Sequence, residues 1–187
     1  TTSVLTVNTG ATITVQPTAT QTLCEGVAAS IDVTATGTGL TYQWQLGGVD
    51  VTDGGTISGA TTASLAISSL VSGDAGNYTC NISASGCGSP LTTTTSVLNV
   101  NSPITITTQP TATQTLCTGN AATIDVVATG SGLTYQWQLG GVDVIDGGTI
   151  SGATTASLAI SSLVSGDAGN YTVDITGLCG APVTSTT

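Results

Sequence analysis

The sequence is a near-perfect tandem repeat, and this feature constrains the fold more than any other. Residues 39–51 recur unchanged at 132–144, and residues 53–79 recur at 146–172, so the two copies are offset by 93 positions. A chain of 187 residues with this period predicts two small domains of one fold, each large enough for one modest core.

Both ends of the sequence fall inside the repeat. Residues 3–7 (SVLTV) match 96–100 (SVLNV), whereas the second copy stops before that segment. We expect 1–8 to be the final strand of a preceding repeat or a donor strand, 9–101 to be the first repeat, and 102–187 to be the second repeat without the end of its last strand. A donor strand would complete a neighbouring sheet by β-augmentation. The identity of the copies and the matching phase of the ends favour a window on a longer repetitive chain.

The pattern within each copy predicts strands. Segments such as TYQWQL, ASLAISSL and NYTCNIS alternate in polarity or are rich in β-branched residues, and each is bounded by Gly, Asp, Asn or Pro. Turn signals such as LGG, DGG and SGD separate them at short intervals. This rhythm is typical of an all-β sandwich.

Two motifs make the prediction more specific. Trp44, in TYQWQL, is suited to fill the centre of a small core, and DAGNYTC (74–80) has the spacing of a turn followed by a tyrosine corner. The sequence resembles the tandem immunoglobulin-like repeats of bacterial secreted and surface proteins, which implies two immunoglobulin-like Greek-key β-sandwiches. The positions expected to define the fold are Trp44, Asp74 and Tyr78 in the first copy and Trp137, Asp167 and Tyr171 in the second.

The sequence departs from the antibody pattern at the intersheet disulfide. Ile31 and Ile124 stand where an antibody domain has its first cysteine. Cys80 occupies the second position alone, and Val173 replaces it in the second copy. We interpret Cys80 as a buried apolar thiol, since the chain has no basic residue to activate it.

The other four cysteines precede the second strand (Cys24, Cys117) or lie in the last hairpin (Cys87, Cys179). Those regions are at opposite ends of an immunoglobulin sandwich, each about 23 Å from its middle at strand rise, whereas bridged Cα atoms are about 4.4–6.8 Å apart. We therefore expect a Cys24–Cys179 disulfide between repeats, with Cys87 and Cys117 bonded to neighbouring repeats. Pairing within each repeat and free thiols are the alternatives. Either pairing implies an oxidising, extracellular compartment or cell surface.

The composition excludes several classes of chemistry. The chain has no His, Lys or Arg and a net charge of −10, so it cannot form a histidine-based triad or metal site or neutralise phosphates. Its apolar runs fall far short of the roughly 20 residues that span a bilayer. We expect no enzyme activity, no cofactor, no nucleic-acid partner and no membrane insertion. A calcium site is a weaker alternative to a solvated turn at the acidic positions Asp50, Asp53, Asp143 and Asp146.

These features predict a structural repeat of an extracellular bacterial fibre, stalk or giant surface adhesin. Its partners would be neighbouring copies of the repeat in a linear fibre. The alternative is an adhesion module whose loops, such as 52–64 (TDGGTISGATTAS), bind a ligand or glycan. Residues 53–64 of that loop recur without change and contain no aromatic platform for sugars, so the spacer function is favoured.

Overall fold

The computed structural model of the protein describes residues 2–186, which form two compact units. The first unit ends at Val100 and the second begins at Asn101. Among the described residues, no helix is long and apolar enough to cross a bilayer.

Short strands bounded by glycine-rich turns build the first unit. Gly47 and Gly48, in the tight turn after TYQWQL, have φ of 58° and 84°, a region that favours glycine. The strands of this unit are β1 (Thr12–Val15), β2 (Thr20–Cys24), β3 (Ala29–Asp32), β4 (Thr34–Thr36), β5 (Thr41–Leu46), β6 (Val49–Asp50), β7 (Ile57–Ser58), β8 (Ser64–Ile67), β9 (Gly76–Ser83), β10 (Leu91–Thr92) and β11 (Ser96–Asn101).

Two layers enclose the core of this unit. One sheet has the order β2-β11-β9-β5-β6, with β10 also paired to β9. The facing layer contains the sheet β3-β8-β7 and the antiparallel pair β1-β4. Side chains alternate along β9, so that Tyr78, Cys80 and Ile82 point into the core and their neighbours are less buried.

The second unit repeats most of this arrangement. Its sheets have the orders β16-β15-β19-β20 and β13-β18-β17, and β12 pairs with β14. The strands are β12 (Thr105–Thr108), β13 (Ala122–Asp125), β14 (Val127–Thr129), β15 (Thr134–Leu139), β16 (Val142–Asp143), β17 (Ile150–Ser151), β18 (Ser157–Ile160), β19 (Tyr171–Thr176) and β20 (Val183–Thr184).

The chain passes between the two layers of each unit in a Greek-key order. β8 and β9 are consecutive but lie in different sheets, joined through a 3-10 turn at Ser72–Asp74. The same turn recurs at Ser165–Asp167. The prediction of an all-β chain with tandem immunoglobulin-like Greek-key sandwiches is confirmed.

Candidate functional site

The residues expected to define the fold occupy the centres of the two units. Trp44 is fully buried and its indole Nε1 donates to the carbonyl oxygen of Thr62 at 2.9 Å. Trp137 is equally buried and donates to the carbonyl oxygen of Thr155 at 2.9 Å. Each indole therefore fills a core and satisfies its one polar group there.

Each unit also contains a tyrosine corner. The Tyr78 hydroxyl donates to the Asp74 carbonyl oxygen at 2.7 Å, and the Asp74 carboxylate accepts the Val71 N–H at 2.8 Å. Tyr171 donates in the same way to the Asp167 carbonyl oxygen at 2.8 Å. Burial, with a smaller contribution from the Asp74 charge, raises the pKa of Tyr78 from 10.0 to about 12. Burial beside Asp167 also raises the pKa of Tyr171.

This shift predicts that the first unit loses stability in strong alkali. Between pH 10 and pH 12 the unfolded chain releases the Tyr78 proton while the folded chain keeps it, so the free energy of unfolding falls as pH rises. The contribution of Tyr78 is fully present below pH 10. Denaturant midpoints measured across this range should decline less steeply in Tyr78→Phe; an unchanged slope would contradict this assignment.

The four acidic residues considered for calcium are used in hydrogen bonds. Asp50 accepts from the Gln45 side chain at 2.7 Å, and Asp53 accepts the Ala60 N–H at 2.7 Å. In the second unit Asp143 and Asp146 repeat these contacts at 2.9 and 2.7 Å. Within residues 2–186 no three His, Cys, Asp or Glu side chains are grouped as metal ligands would be.

Loop 53–64, considered for ligand binding, is held by hydrogen bonds between its own residues. The Thr62 hydroxyl donates to the carbonyl oxygens of Gly59 and Ser64, at 3.1 and 2.8 Å. The backbone of the loop also accepts the Trp44 indole N–H. These contacts give loop 53–64 a role in closing the core, and it offers no aromatic surface to a sugar.

The cysteines differ in oxidation state and burial. Cys80 is a fully buried thiol, and burial raises its pKa to about 11, outweighing a hydrogen bond from the Gln43 backbone. Cys24 and Cys179 are disulfide-bonded, whereas Cys87 and Cys117 are thiols. The partner of each of these four cysteines stays a prediction from the sequence.

A groove in the second unit is the main feature that distinguishes it from the first. It has a volume of about 400 Å³ and lies wholly within the second unit. One wall comes from the segment before β13, and the other comes from the end of β18 and the start of β19. The residues that line it include Thr111, Ala112, Ala122, Ile124, Leu163, Gly169, Asn170 and Tyr171.

In the first unit the strand β11 occupies the corresponding place. Ser96, Val97 and Leu98 pair with Tyr78, Asn77 and Gly76 of β9. At the offset of 93 those three β9 positions correspond to residues 171, 170 and 169, which line the groove.

The other edge of β11 contacts the segment leading into β2. The Val97 N–H donates to the Ala19 carbonyl oxygen at 2.9 Å, and the Ser96 hydroxyl donates to the Thr18 carbonyl oxygen at 2.6 Å. Their counterparts, Ala112 and Thr111, also line the groove. The groove therefore has the shape and backbone groups of a site for one strand.

The groove leaves part of the second core less covered. Ile31, Leu70 and Tyr78 are fully buried in the first unit. Their counterparts Ile124, Leu163 and Tyr171, which line the groove, are only half-buried. In the first unit Leu98 is 1% exposed and belongs to the same core cluster. An added strand with an apolar residue at that position would restore the missing cover.

Sequence reasoning did not identify the groove residues. The signal was available in the repeat itself, since each groove residue can be read from the contacts of β11 in the first unit by adding 93. It required knowing which residues β11 contacts, and those contacts are distant in sequence.

The fold is similar to those of solved tandem immunoglobulin domains. An I-band fragment of titin has a TM-score of 0.71 at 19% identity, with 94% of this chain and 63% of that one covered. Sidekick-1 immunoglobulin domains 1–4 give 0.72 at 19%, with 95% and 48% covered. The N-terminal four immunoglobulin domains of a Dscam1 isoform give 0.62 at 19%, with 92% and 43% covered.

The chain thus spans less than two thirds of each of these solved structures. At this identity the similarity shows the fold alone. No protein-family model matches the sequence, and no similar sequence is found among curated proteins.

Proposed function

We propose that the chain is the structural repeat unit of an extracellular bacterial fibre, stalk or giant surface adhesin. The observation that carries this proposal is the presence of two nearly identical immunoglobulin-like units together with oxidised cysteines. A disulfide persists in oxidising compartments, which are outside the cytosol. Repeated units of nearly identical sequence are typical of a spacer, whose function is to add length.

The connection between the units is short, which supports the proposed stalk. β11 ends at Asn101, and Ser102 already belongs to the second unit, where its N–H donates to the Ser131 hydroxyl at 2.9 Å. Ile104 packs against the second core. No flexible Gly/Ser tract of linker length separates the units.

Disulfides between repeats would add a second tether at each joint. We assign the bond of Cys24 to Cys179, which is supported by their both being oxidised, and assign Cys87 and Cys117 to neighbouring repeats. A covalent tether beside a short connection limits bending, as a stalk requires.

The chain is proposed to have no catalytic role. It contains no histidine, and the deeply buried Cys80 has a pKa of about 11, so little of its thiol is ionised at neutral pH. The net charge of −10 opposes binding to nucleic acid or to anionic membranes. The expected partners are further copies of the repeat.

Peptide mapping under non-reducing conditions tests the disulfide arrangement. Because the chain has no Lys or Arg, an Asp-directed protease replaces trypsin. We expect a crosslink between the peptides of Cys24 and Cys179, and crosslinks of Cys87 and Cys117 to other repeats in the native fibre. A Cys24–Cys87 crosslink would refute the arrangement between repeats.

Imaging of the native assembly tests the fibre function itself. We expect linear filaments with an axial repeat set by one or two units. A native protein that remains a dispersed monomer, or that binds a glycan array through loop 53–64, would favour the adhesion-module alternative.

A further inference from the structure

The segment before the first unit exposes an unusual amount of apolar surface. Val4, Leu5 and Val7 are 85%, 88% and 79% exposed. The chain becomes anchored only at Asn8, whose side chain donates to the Ser85 carbonyl oxygen at 3.0 Å. Three large apolar side chains this exposed within five residues indicate a surface that another group covers.

This segment has almost the sequence of the strand that fills the first unit. Residues 3–7 read SVLTV and residues 96–100, within β11, read SVLNV, so the only difference is Thr6 against Asn99. Asn99 is exposed in β11, which makes that difference neutral for packing. Ser96 and Leu98 are the buried positions of β11, and Ser3 and Leu5 correspond to them.

We propose that residues 3–7 of a second copy of the chain fill the groove of the second unit. The inference rests on the proposed fibre function and specifies how its units join. Leu5 would take the place that Leu98 takes in the first unit, against Ile124 and Leu163. The Ser3 hydroxyl would donate to the Thr111 carbonyl oxygen, as Ser96 donates to that of Thr18.

The same pairing explains why the groove requires a strand and not a loose apolar ligand. In the first unit, β11 satisfies backbone groups on both of its neighbours, β2 and β9. Residues 113–117 repeat the sequence of β2, yet they form no strand in the second unit. An inserted strand would pair with residues 113–116 on one side and with Gly169 and Tyr171 on the other, as β11 pairs with β2 and with Gly76 and Tyr78.

Such a joint propagates in one direction. The donor segment belongs to the first unit and the acceptor groove to the second, so each contact leaves a donor on one copy and an acceptor on the other. Contacts between two different surfaces build open filaments unless the rotation closes a ring. Strand insertion therefore gives a mechanism of linear assembly.

Two thiols would meet at this joint. Cys87 lies beside the donor segment, since its thiol donates to the Asn8 carbonyl oxygen at 3.3 Å. The Asn99 side chain donates to the Thr22 hydroxyl at 3.3 Å, which places the end of β11 beside the segment of Cys24. By the repeat, the end of an inserted strand lies beside Cys117. Cys87 of one copy would then be near Cys117 of the next.

Oxidation of this pair would lock the joint. The two Sγ atoms form one bond, two protons leave the thiols, and two electrons reduce one molecule of oxidised glutathione to two thiols. The crosslink forms only when the donor and acceptor copies are in the proposed register, so it serves as a test of that register.

The test compares two variants that introduce the same residue into the donor segment. Leu5→Asn places an amide at the buried position, whereas Thr6→Asn places the residue of β11 at the exposed position. Each purified chain is followed by sedimentation velocity over a range of concentrations and by negative-stain electron microscopy. We expect filaments from the wild type and from Thr6→Asn, and association of Leu5→Asn weaker by on the order of 100-fold.

A third variant tests the acceptor side. It carries SVLNVN after residue 187, the sequence by which the first copy continues from 96 to 101. We expect this added strand to fill its own groove, so that the chain no longer assembles and the amides of Gly169 and Tyr171 gain protection from hydrogen exchange. Oxidised glutathione should crosslink Cys87 to Cys117 between wild-type copies but not in this variant.

Three results would overturn the proposal. One is a wild-type chain that stays monomeric at high concentration, and another is equal assembly by Leu5→Asn and Thr6→Asn. The third is a native polypeptide that, reduced in strong denaturant, migrates as one chain of many repeats, because the strand would then be covalently continuous. This third result would leave the proposed fibre function intact, so the two proposals can fail separately.

Discussion

Trp137→Ala is expected to unfold the second unit at a much lower denaturant concentration than in the wild type, while the first unit keeps its transition. Replacing a core tryptophan by alanine costs about 3–5 kcal/mol, against a typical domain stability of about 5–15 kcal/mol. The change also leaves the Thr155 carbonyl oxygen without the indole N–H that it accepts at 2.9 Å. The second unit is expected to have a smaller free energy of unfolding than the first even before the substitution, because Ile124 and Leu163 are partly exposed.

The repeat provides its own control for this experiment. Each unit contains one tryptophan, so fluorescence of Trp137→Ala reports only on the first unit, and circular dichroism reports on both. The measurement is made with reductant present so that disulfides do not couple the transitions. Trp44→Ala should destabilise the first unit by a similar amount but from a higher starting stability. Equal midpoints for the two units in the wild type would argue that the groove costs the second unit nothing.

Much of the fold could be predicted because its signals are local. Alternation and turn residues indicate strands, and the indole of Trp44 and the spacing from Asp74 to Tyr78 identify an immunoglobulin-like sandwich within a few residues of sequence. The tyrosine corner joins residues only four positions apart, so it can form from its own segment.

The groove could not be predicted in the same way because it depends on contacts distant in sequence. Residues 16–24 and 109–117 are identical, yet the first contains β2 and the second contains no strand. The difference arises from β11, about 77 residues away from β2, which gives β2 its hydrogen-bond partner. A sequence window that is identical in both copies cannot carry that information.

The same reasoning applies to the burial of individual side chains. Tyr78 and Tyr171 have the same sequence neighbours from 53 to 79 and from 146 to 172, but only Tyr78 is fully buried. Burial raises the pKa of both hydroxyls, that of Tyr78 to about 12. Burial here is a property of the completed sandwich and not of the repeat sequence.

Leu98→Ala is expected to leave the core of the first unit partly uncovered, as the core of the second unit is. Leu98 is 1% exposed, and truncating such a leucine costs about 2–5 kcal/mol. The loss should appear as a lower denaturant midpoint of Trp44 fluorescence. It should also appear as faster hydrogen exchange in β2 and at Gly76 and Tyr78, which face β11.

Leu5→Ala is the matched comparison, because it makes the same change in nearly the same pentapeptide. Leu5 is 88% exposed in the chain, and changes at such surface positions usually alter stability by no more than about 0.5 kcal/mol. The stability of an isolated chain should therefore not change, while its self-association should weaken. If Leu5→Ala destabilised the isolated chain as much as Leu98→Ala, residues 3–7 would be packing within their own molecule, and the groove would have to accept some other strand.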